Sequence, residues 1–129
     1  MRLLLADDDE ILRCMLVHHL TQAGHSVDEA VDGADALTKI ETGNHDAVIC
    51  DWEMPNLDGP DLCRAIRAGR HGRNLYVIML TGRDTMLAQA EGYDAGADAF
   101  LTKPCDTTDL LAALRTAQSI TGMPQRKAS

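Results

Sequence analysis

Leu3-Leu4-Leu5-Ala6-Asp7-Asp8-Asp9-Glu10 decides how the rest of the chain is read, because four apolar residues in a row give way at once to four acids. An unbroken apolar run of that length suits a strand buried on both faces, as in parallel sheets covered by helices. The acids end the strand. Beyond them Ile11, Leu12, Met15, Leu16 and Leu20 recur at helical spacing, acids occupy the first turn and Gly24 closes the segment. The pattern predicts a helix from Asp9 to Ala23.

The same alternation repeats outward from this unit. Ser26 to Val31 reads as a short strand and Ala34 to Thr42 as a helix ending at Gly43. Ala47-Val48-Ile49-Cys50 is an apolar strand running into Asp51. Pro60 suits the first turn of a helix reaching Ala68, where its missing N–H has no helical partner to lose, and Gly69 and Gly72 mark the loop that follows. Leu75 to Leu80 is a fourth strand, Asp84 to Tyr93 a helix, Ala99 to Thr102 a fifth strand and Thr108 to Ile120 a last amphipathic helix. Alternating strand–helix units imply an α/β domain with a parallel sheet, right-handed crossovers and helices on both faces. Residues 1–121 form one domain in this reading, and residues 122–129 a flexible tail or the start of a linker.

Composition narrows the function. A chain of 129 residues with 45% hydrophobic and 25% charged residues has material for one globular core. Twenty acidic against twelve basic residues give a net charge of −8, and the balance stays acidic even with all five histidines protonated. Such a surface repels polyanions, and one Trp, two Tyr and one Phe offer no platform for stacking bases, so nucleic-acid binding by this segment is excluded. The four cysteines form no Cys-x-x-Cys pair and stand at no zinc-ligand spacing from a histidine. No apolar run reaches signal-peptide or membrane-spanning length, which implies a reducing, cytoplasmic setting and no membrane partner.

In an open parallel sheet the ligand site lies outside the carboxyl ends of the strands, near the point where strand order reverses. Those ends carry Asp7 and Asp8 on strand 1, Asp51 on strand 3, Thr81 on strand 4 and Lys103-Pro104 on strand 5. Clustered carboxylates resist ionising together unless a cation offsets them, and hard oxygen donors suit Mg²⁺, or Mn²⁺, better than zinc. A metal, a lysine and a hydroxyl around one aspartate can stabilise a phosphoryl group in transfer, with Asp51 as nucleophile. The plainer reading makes Asp8 and Asp9 helix N-caps and Lys103 a solvated charge. Convergence of all five residues on one sheet edge argues against it.

The motifs Leu-Leu-Ala-Asp-Asp-Asp-Glu, Val-Ile-Cys-Asp-Trp-Glu-Met-Pro-Asn-Leu-Asp-Gly, Val-Ile-Met-Leu-Thr-Gly and Ala-Gly-Ala-Asp-Ala-Phe-Leu-Thr-Lys-Pro follow in order. With them the chain resembles a CheY-like receiver domain of two-component response regulators over residues 2–120. The resemblance implies a flavodoxin-like (βα)5 fold, doubly wound, with strand order 2-1-3-4-5. It implies Asp51 as phosphoacceptor, direct Mg²⁺ ligation by Asp8 and Asp51, Asp7 acting through a metal-bound water, and the Glu53 backbone carbonyl as a further ligand. Thr81 and Lys103 would contact phosphoryl oxygens, the Lys103–Pro104 peptide would be cis, and Phe100 would be the switch aromatic. Such a domain catalyses only its own phosphorylation and dephosphorylation. Its implied partners are a sensor histidine kinase or phosphotransfer protein, and a downstream partner or fused output domain. That output would be reached through the face of helix 4, strand 5 and helix 5, or the same face would serve a phosphorylation-dependent homodimer. Trp52, Glu53 and Arg83 are expected at the mouth of the site, where Glu53 and Arg83 could pair across the entrance.

A dinucleotide-binding unit fails on charge, since it needs glycines and not three acids after strand 1. The enzymatic alternative is a small Mg-dependent phosphatase with an Asp nucleophile, of the haloacid-dehalogenase type, but Glu53 stands where its second Asp belongs. His18, His19, His25, His45 and His71 read as surface or satisfied residues, Met54-Pro55 as loop packing, Met79-Leu80 as core strand, and Asp58-Gly59 as a turn without a catalytic role.

Overall fold

A computed structural model of the protein describes residues 1–69, 74–82 and 86–121, and it runs β1 (Arg2–Ala6), α1 (Glu10–Gln22), β2 (Ser26–Ala30), α2 (Gly33–Thr42), β3 (Ala47–Asp51), α3 (Gly59–Ala68), β4 (Tyr76–Thr81), α4 (Met86–Ala95), β5 (Ala99–Thr102) and α5 (Thr107–Thr121). Every ladder is parallel and the strand order is β2-β1-β3-β4-β5. This is the expected doubly wound, flavodoxin-like sheet, and its order reverses between β1 and β3.

The apolar runs have a simple cause. Successive side chains of a strand point to opposite faces, so a strand covered on both sides needs apolar residues throughout. Leu4, Ala6, Val48, Cys50, Val77 and Met79 face one layer, closed by Ala36 and Ile40 of α2, Leu62, Cys63 and Ile66 of α3, and Ala88 and Ala95 of α4. Leu3, Leu5, Ala47, Ile49, Ile78 and Leu80 face the other, closed by Leu16 and Leu20 of α1 and by Leu110, Leu114 and Ala117 of α5. Burying one Leu or Ile side chain contributes roughly 1.5–3 kcal/mol, so the twelve residues of β1, β3 and β4 named here form the main apolar stabilisation of the sheet. The edge strands are less covered. β2 exposes Ser26, Asp28 and Glu29, and no residue of β5 is fully buried.

Acids start the helices. Asp9 caps α1, accepting from the N–H groups of Ile11 and Leu12 at 3.1 and 3.2 Å. Asp58 caps α3, accepting from Asp61 N–H at 2.9 Å, so the Asp58-Gly59 turn signal is a helix start, with Pro60 buried in the first turn. The cap of α1 is thus Asp9 and not Asp8. β4 ends one residue later than the sequence predicts, at Thr81. α4 continues two residues past Tyr93, to Ala95, because Gly96 at φ +112° is the residue that can leave the helix there. Its expected start at Asp84, together with Gly72, His71 and residues 122–129, lies outside the described residues.

One histidine departs from expectation. The His45 side chain is 3% exposed; Nε2 lies 2.7 Å from Asp28 Oδ2, while Nδ1 is buried with no hydrogen-bond partner among the described residues. The ring fits there because Gly43 has no side chain: a Cβ at that position would lie 2.5 Å from the ring Cε1. Among the described residues, no helix is long and apolar enough to cross a membrane.

Candidate functional site

Strand register assembles the site. Ala6 pairs with Cys50, so Asp7 and Asp51 leave neighbouring strands side by side. Asp51 pairs with Leu80, which puts Thr81 one step beyond it, and Thr81 pairs with Thr102, the residue before Lys103. A carboxylate oxygen from each of Asp7, Asp8 and Asp51 lies within 4.8 Å of the others. Asp7 and Asp51 are buried, as is Thr81, whereas Asp8 is exposed. Lys103 Nζ reaches Asp51 Oδ1 at 3.1 Å and Asp7 Oδ2 at 3.5 Å. The Lys103–Pro104 peptide is cis, and the Lys103 N–H donates to the Thr81 carbonyl at 2.6 Å.

Electrostatics give this cluster its character. Burial pushes the Asp51 carboxyl above the usual carboxylate range and the Asp7 charge adds to the push. The Lys103 ammonium and the Glu53 backbone N–H oppose it without cancelling it. Burial alone would lower Lys103, but its hydrogen bond to Asp51 and the charges of Asp51 and Asp7 outweigh that and hold it above its ordinary value. One ammonium among three carboxylates leaves negative charge in a half-buried place. Oxygen donors this close, with that surplus, fit a hard divalent cation.

The loop from Trp52 to Asp58 walls a crevice of ≈ 470 Å³ together with Asp8. Its path is fixed by close backbone approaches. A Cβ on Gly59 would sit 2.7 Å from the Asp51 carbonyl oxygen, and one on Gly33 would overlap the Leu57 carbonyl. Asn56, at φ 72°, donates from Nδ2 to Asp32 Oδ2 at 2.7 Å and ties the loop to the start of α2. The sequence reading missed these contacts; the glycines were visible, but their neighbours arise only on folding.

Trp52 needs correcting. It is 4% exposed and lines the crevice from inside the core, not at a mouth. Its ring packs edge-on against Phe100, with centroids 5.9 Å apart, and Phe100 also meets Tyr93 at 6.1 Å. The half-buried Phe100 ring lies over Gly92 of α4, where a Cβ would come within 2.8 Å of its Cε2. Glu53 is exposed as expected. Arg83 lies outside the described residues, and so does the expected pair with Glu53.

A doubly wound α/β module with an acid-and-lysine pocket at its switch point is the class that fold and site define. Residues 3–115 match the family model of the response regulator receiver domain, and the chain belongs to that family. It is thus a regulatory domain of two-component signalling. It is 42% identical over 115 residues to the response regulator MprA of Mycobacterium avium, covering 89% of this chain and 50% of that protein. The chain spans about half the length of the curated relatives it matches. Among solved structures, the Francisella response regulator 1452 receiver domain superposes with a TM-score of 0.87 at 32% identity, covering 93% of this chain and 98% of that one. The receiver domain of the sensor histidine kinase PA1611 from Pseudomonas aeruginosa, described with a magnesium ion coordinated in its active-site cleft, gives 0.82 at 29% identity over 94% and 97% of the two chains.

Proposed function

We propose that Asp51 accepts a phosphoryl group from a phosphohistidine of a sensor kinase or phosphotransfer protein in an Mg²⁺-dependent reaction, with Mn²⁺ as the substitute ion. The observation that carries the reading is the meeting of Asp7, Asp8 and Asp51 within 4.8 Å, with the Lys103 ammonium 3.1 Å from Asp51. Asp8, Asp51 and the Glu53 carbonyl would hold the cation, and Asp7 would act through a water. When bound, the cation offsets carboxylate charge and the charge on the transferring phosphoryl oxygens. An Asp51 carboxylate oxygen forms the new bond to phosphorus as the bond to the histidine nitrogen breaks; the electron pair stays on that nitrogen and, with a proton on the other ring nitrogen, the donor leaves as a neutral imidazole while this chain carries an acyl phosphate. Lys103 binds one phosphoryl oxygen and the Thr81 hydroxyl donates to another.

These contacts exist only in the phosphorylated state, so they supply the differential affinity that a switch requires. Thr81 moving toward the phosphoryl group opens space for Phe100, and the face of α4, β5 and α5 changes shape. Met86, Leu87 and Tyr93 are exposed on α4, ready for a downstream partner, a fused output domain or a second copy. The phosphatase alternative lacks its second Asp: Glu53 occupies that position, with an exposed side chain.

Acetyl phosphate with Mg²⁺, followed by intact-mass measurement, should add one phosphoryl group to wild type and none to Asp51→Asn. Equal labelling of the two overturns the assignment. Steady release of phosphate from a phosphomonoester would instead favour the phosphatase.

A further inference from the structure

We infer that Arg13 is a positioning residue for the metal-binding carboxylates, acting through the backbone carbonyl of Asp7. This rests on the metal reading given above and deepens it. Asp7 stands one residue beyond β1, where its N–H makes the outgoing contact to the Ala30 carbonyl at 3.2 Å. Its side chain takes the Asp9 N–H on Oδ1 at 2.9 Å and Lys103 on Oδ2 at 3.5 Å. Its carbonyl lies past the last paired residues of β1 and β3, Ala6 and Cys50. Arg13, in the first turns of α1, fills that gap: Nη1 donates to the Asp7 carbonyl at 2.7 Å.

The same guanidinium donates from Nε to Glu29 Oε1 on β2 at 3.0 Å, and the Arg13 side chain is only 12% exposed. One planar group thus spans α1, the exit of β1 and the edge strand, a geometry that a lysine's single ammonium cannot copy. The carbonyl it holds belongs to the peptide that joins Asp7 to Asp8. Orienting that plane orients Asp8, the one exposed carboxylate of the three. Arg13 also places a positive charge behind an anionic pocket without occupying any carboxylate oxygen of Asp7, Asp8 or Asp51 in a described contact. Groups that fix ligands from behind in this way typically carry a large share of metal affinity.

The test is an Mg²⁺ titration of the full chain followed by Trp52 emission, on wild type, Asp8→Asn, Arg13→Met, Arg13→Lys and Glu29→Gln, with melting temperatures recorded without Mg²⁺. Arg13→Met should bind Mg²⁺ ~10-fold more weakly. Arg13→Lys should recover part of the loss, since an ammonium can still reach the carbonyl. Glu29→Gln, which removes the charge at the exposed end of the pair but keeps an oxygen for Arg13 Nε, should stay within about twofold of wild type. A merely structural Arg13 would lower the melting temperature and leave Mg²⁺ affinity unmoved; wild-type affinity in both Arg13 variants, beside an Asp8-dependent wild-type response, overturns the inference alone. If wild type and Asp8→Asn give the same flat curve, the metal reading fails and takes the inference with it.

Discussion

Asp32 shows how much one carboxylate can organise. It caps α2 through the Asp35 N–H at 2.7 Å and receives Asn56 from the loop beside the pocket. The Asp35 amide first, and the Asn56 amide second, hold its carboxyl below its ordinary value of 3.8. A carboxyl depressed in the folded state contributes stability that is present above the unfolded value and fades as pH falls through the folded one. Asp32→Ala should therefore lower the melting temperature at pH 7, and the gap to wild type should narrow below pH 3.8. Thermal melts across pH 2–7 check this, and Asp32→Asn, which keeps a capping oxygen without the charge, should lose the pH dependence. At this scale the gathering of the acids around Lys103 was legible in the sequence. Asp7 and Lys103 follow directly on strands, and Asp51 ends one, that register brings together. Trp52 was not, because adjacency to Asp51 says nothing of which way a ring turns, and here it turns into the layer shared with Phe100.

Among the elements, α4 is the most lightly held. It buries only small residues, Ala88, Gly92 and Ala95. Its C-terminal end is clamped by Arg67 of α3, which donates to the Gly96 carbonyl at 2.9 and 2.7 Å, to the Leu75 carbonyl at 2.7 Å and to Asp98 at 2.6 Å. Arg67→Ala strips these acceptors of their donor and should lower unfolding free energy by ~2 kcal/mol in urea titration, a cost set by the partners left unsatisfied. Arg67→Lys should restore less than half, since one ammonium cannot serve three acceptors in a fork. Gly92→Ala tests the other end of the argument. In an open helix the change would stabilise by about 1 kcal/mol, but here the new methyl meets the Phe100 ring. The expected result is a smaller gain or a loss, with altered Trp52 emission in the absence of any phosphoryl donor. A full propensity gain with an unchanged spectrum would show that the ring does not feel α4. The weak amphipathic pattern of this helix explains why its end was misjudged in the sequence: with alanine and glycine as its buried residues, nothing strongly apolar marks the inward face.

For the molecule as a whole, the two apolar layers divide the labour. The layer under α1 and α5 holds Leu3, Leu5, Ile49, Ile78 and Leu80, all fully buried or nearly so, and gives the sheet a closed apolar face. The layer under α2, α3 and α4 reaches the surface at Phe100, beside the exposed Tyr93. A beryllofluoride phosphoryl mimic with Mg²⁺ should thus change hydrogen exchange in α4 and β5 more than in α1. Thr81→Ala should still accept a phosphoryl group but lose that response; an unchanged response would show that coupling runs by another route. The fold was readable at this scale because β1, β3 and β4 carry unbroken apolar runs, interrupted only at their ends by Arg2, Asp51 and Thr81. The edges were not, since β2 and β5 have mixed patterns whose pairing is settled by their neighbours.

The glycines of the pocket wall separate two kinds of constancy that sequence drift alone would confuse. At positions 33 and 59 any side chain runs into backbone, of Leu57 in one case and of Asp51 and Trp52 in the other, and backbone cannot swing aside. At Gly82, just past Thr81, a Cβ would meet nothing within 4 Å among the described residues. A library of single substitutions sorted only for folding should keep glycine at 33 and 59, let 82 wander, and release Asp51 altogether. Sorting the same library for phosphorylation should then freeze 51 as well. Positions fixed in both sorts are structural necessities of the pocket wall, and those fixed only in the second are its chemistry.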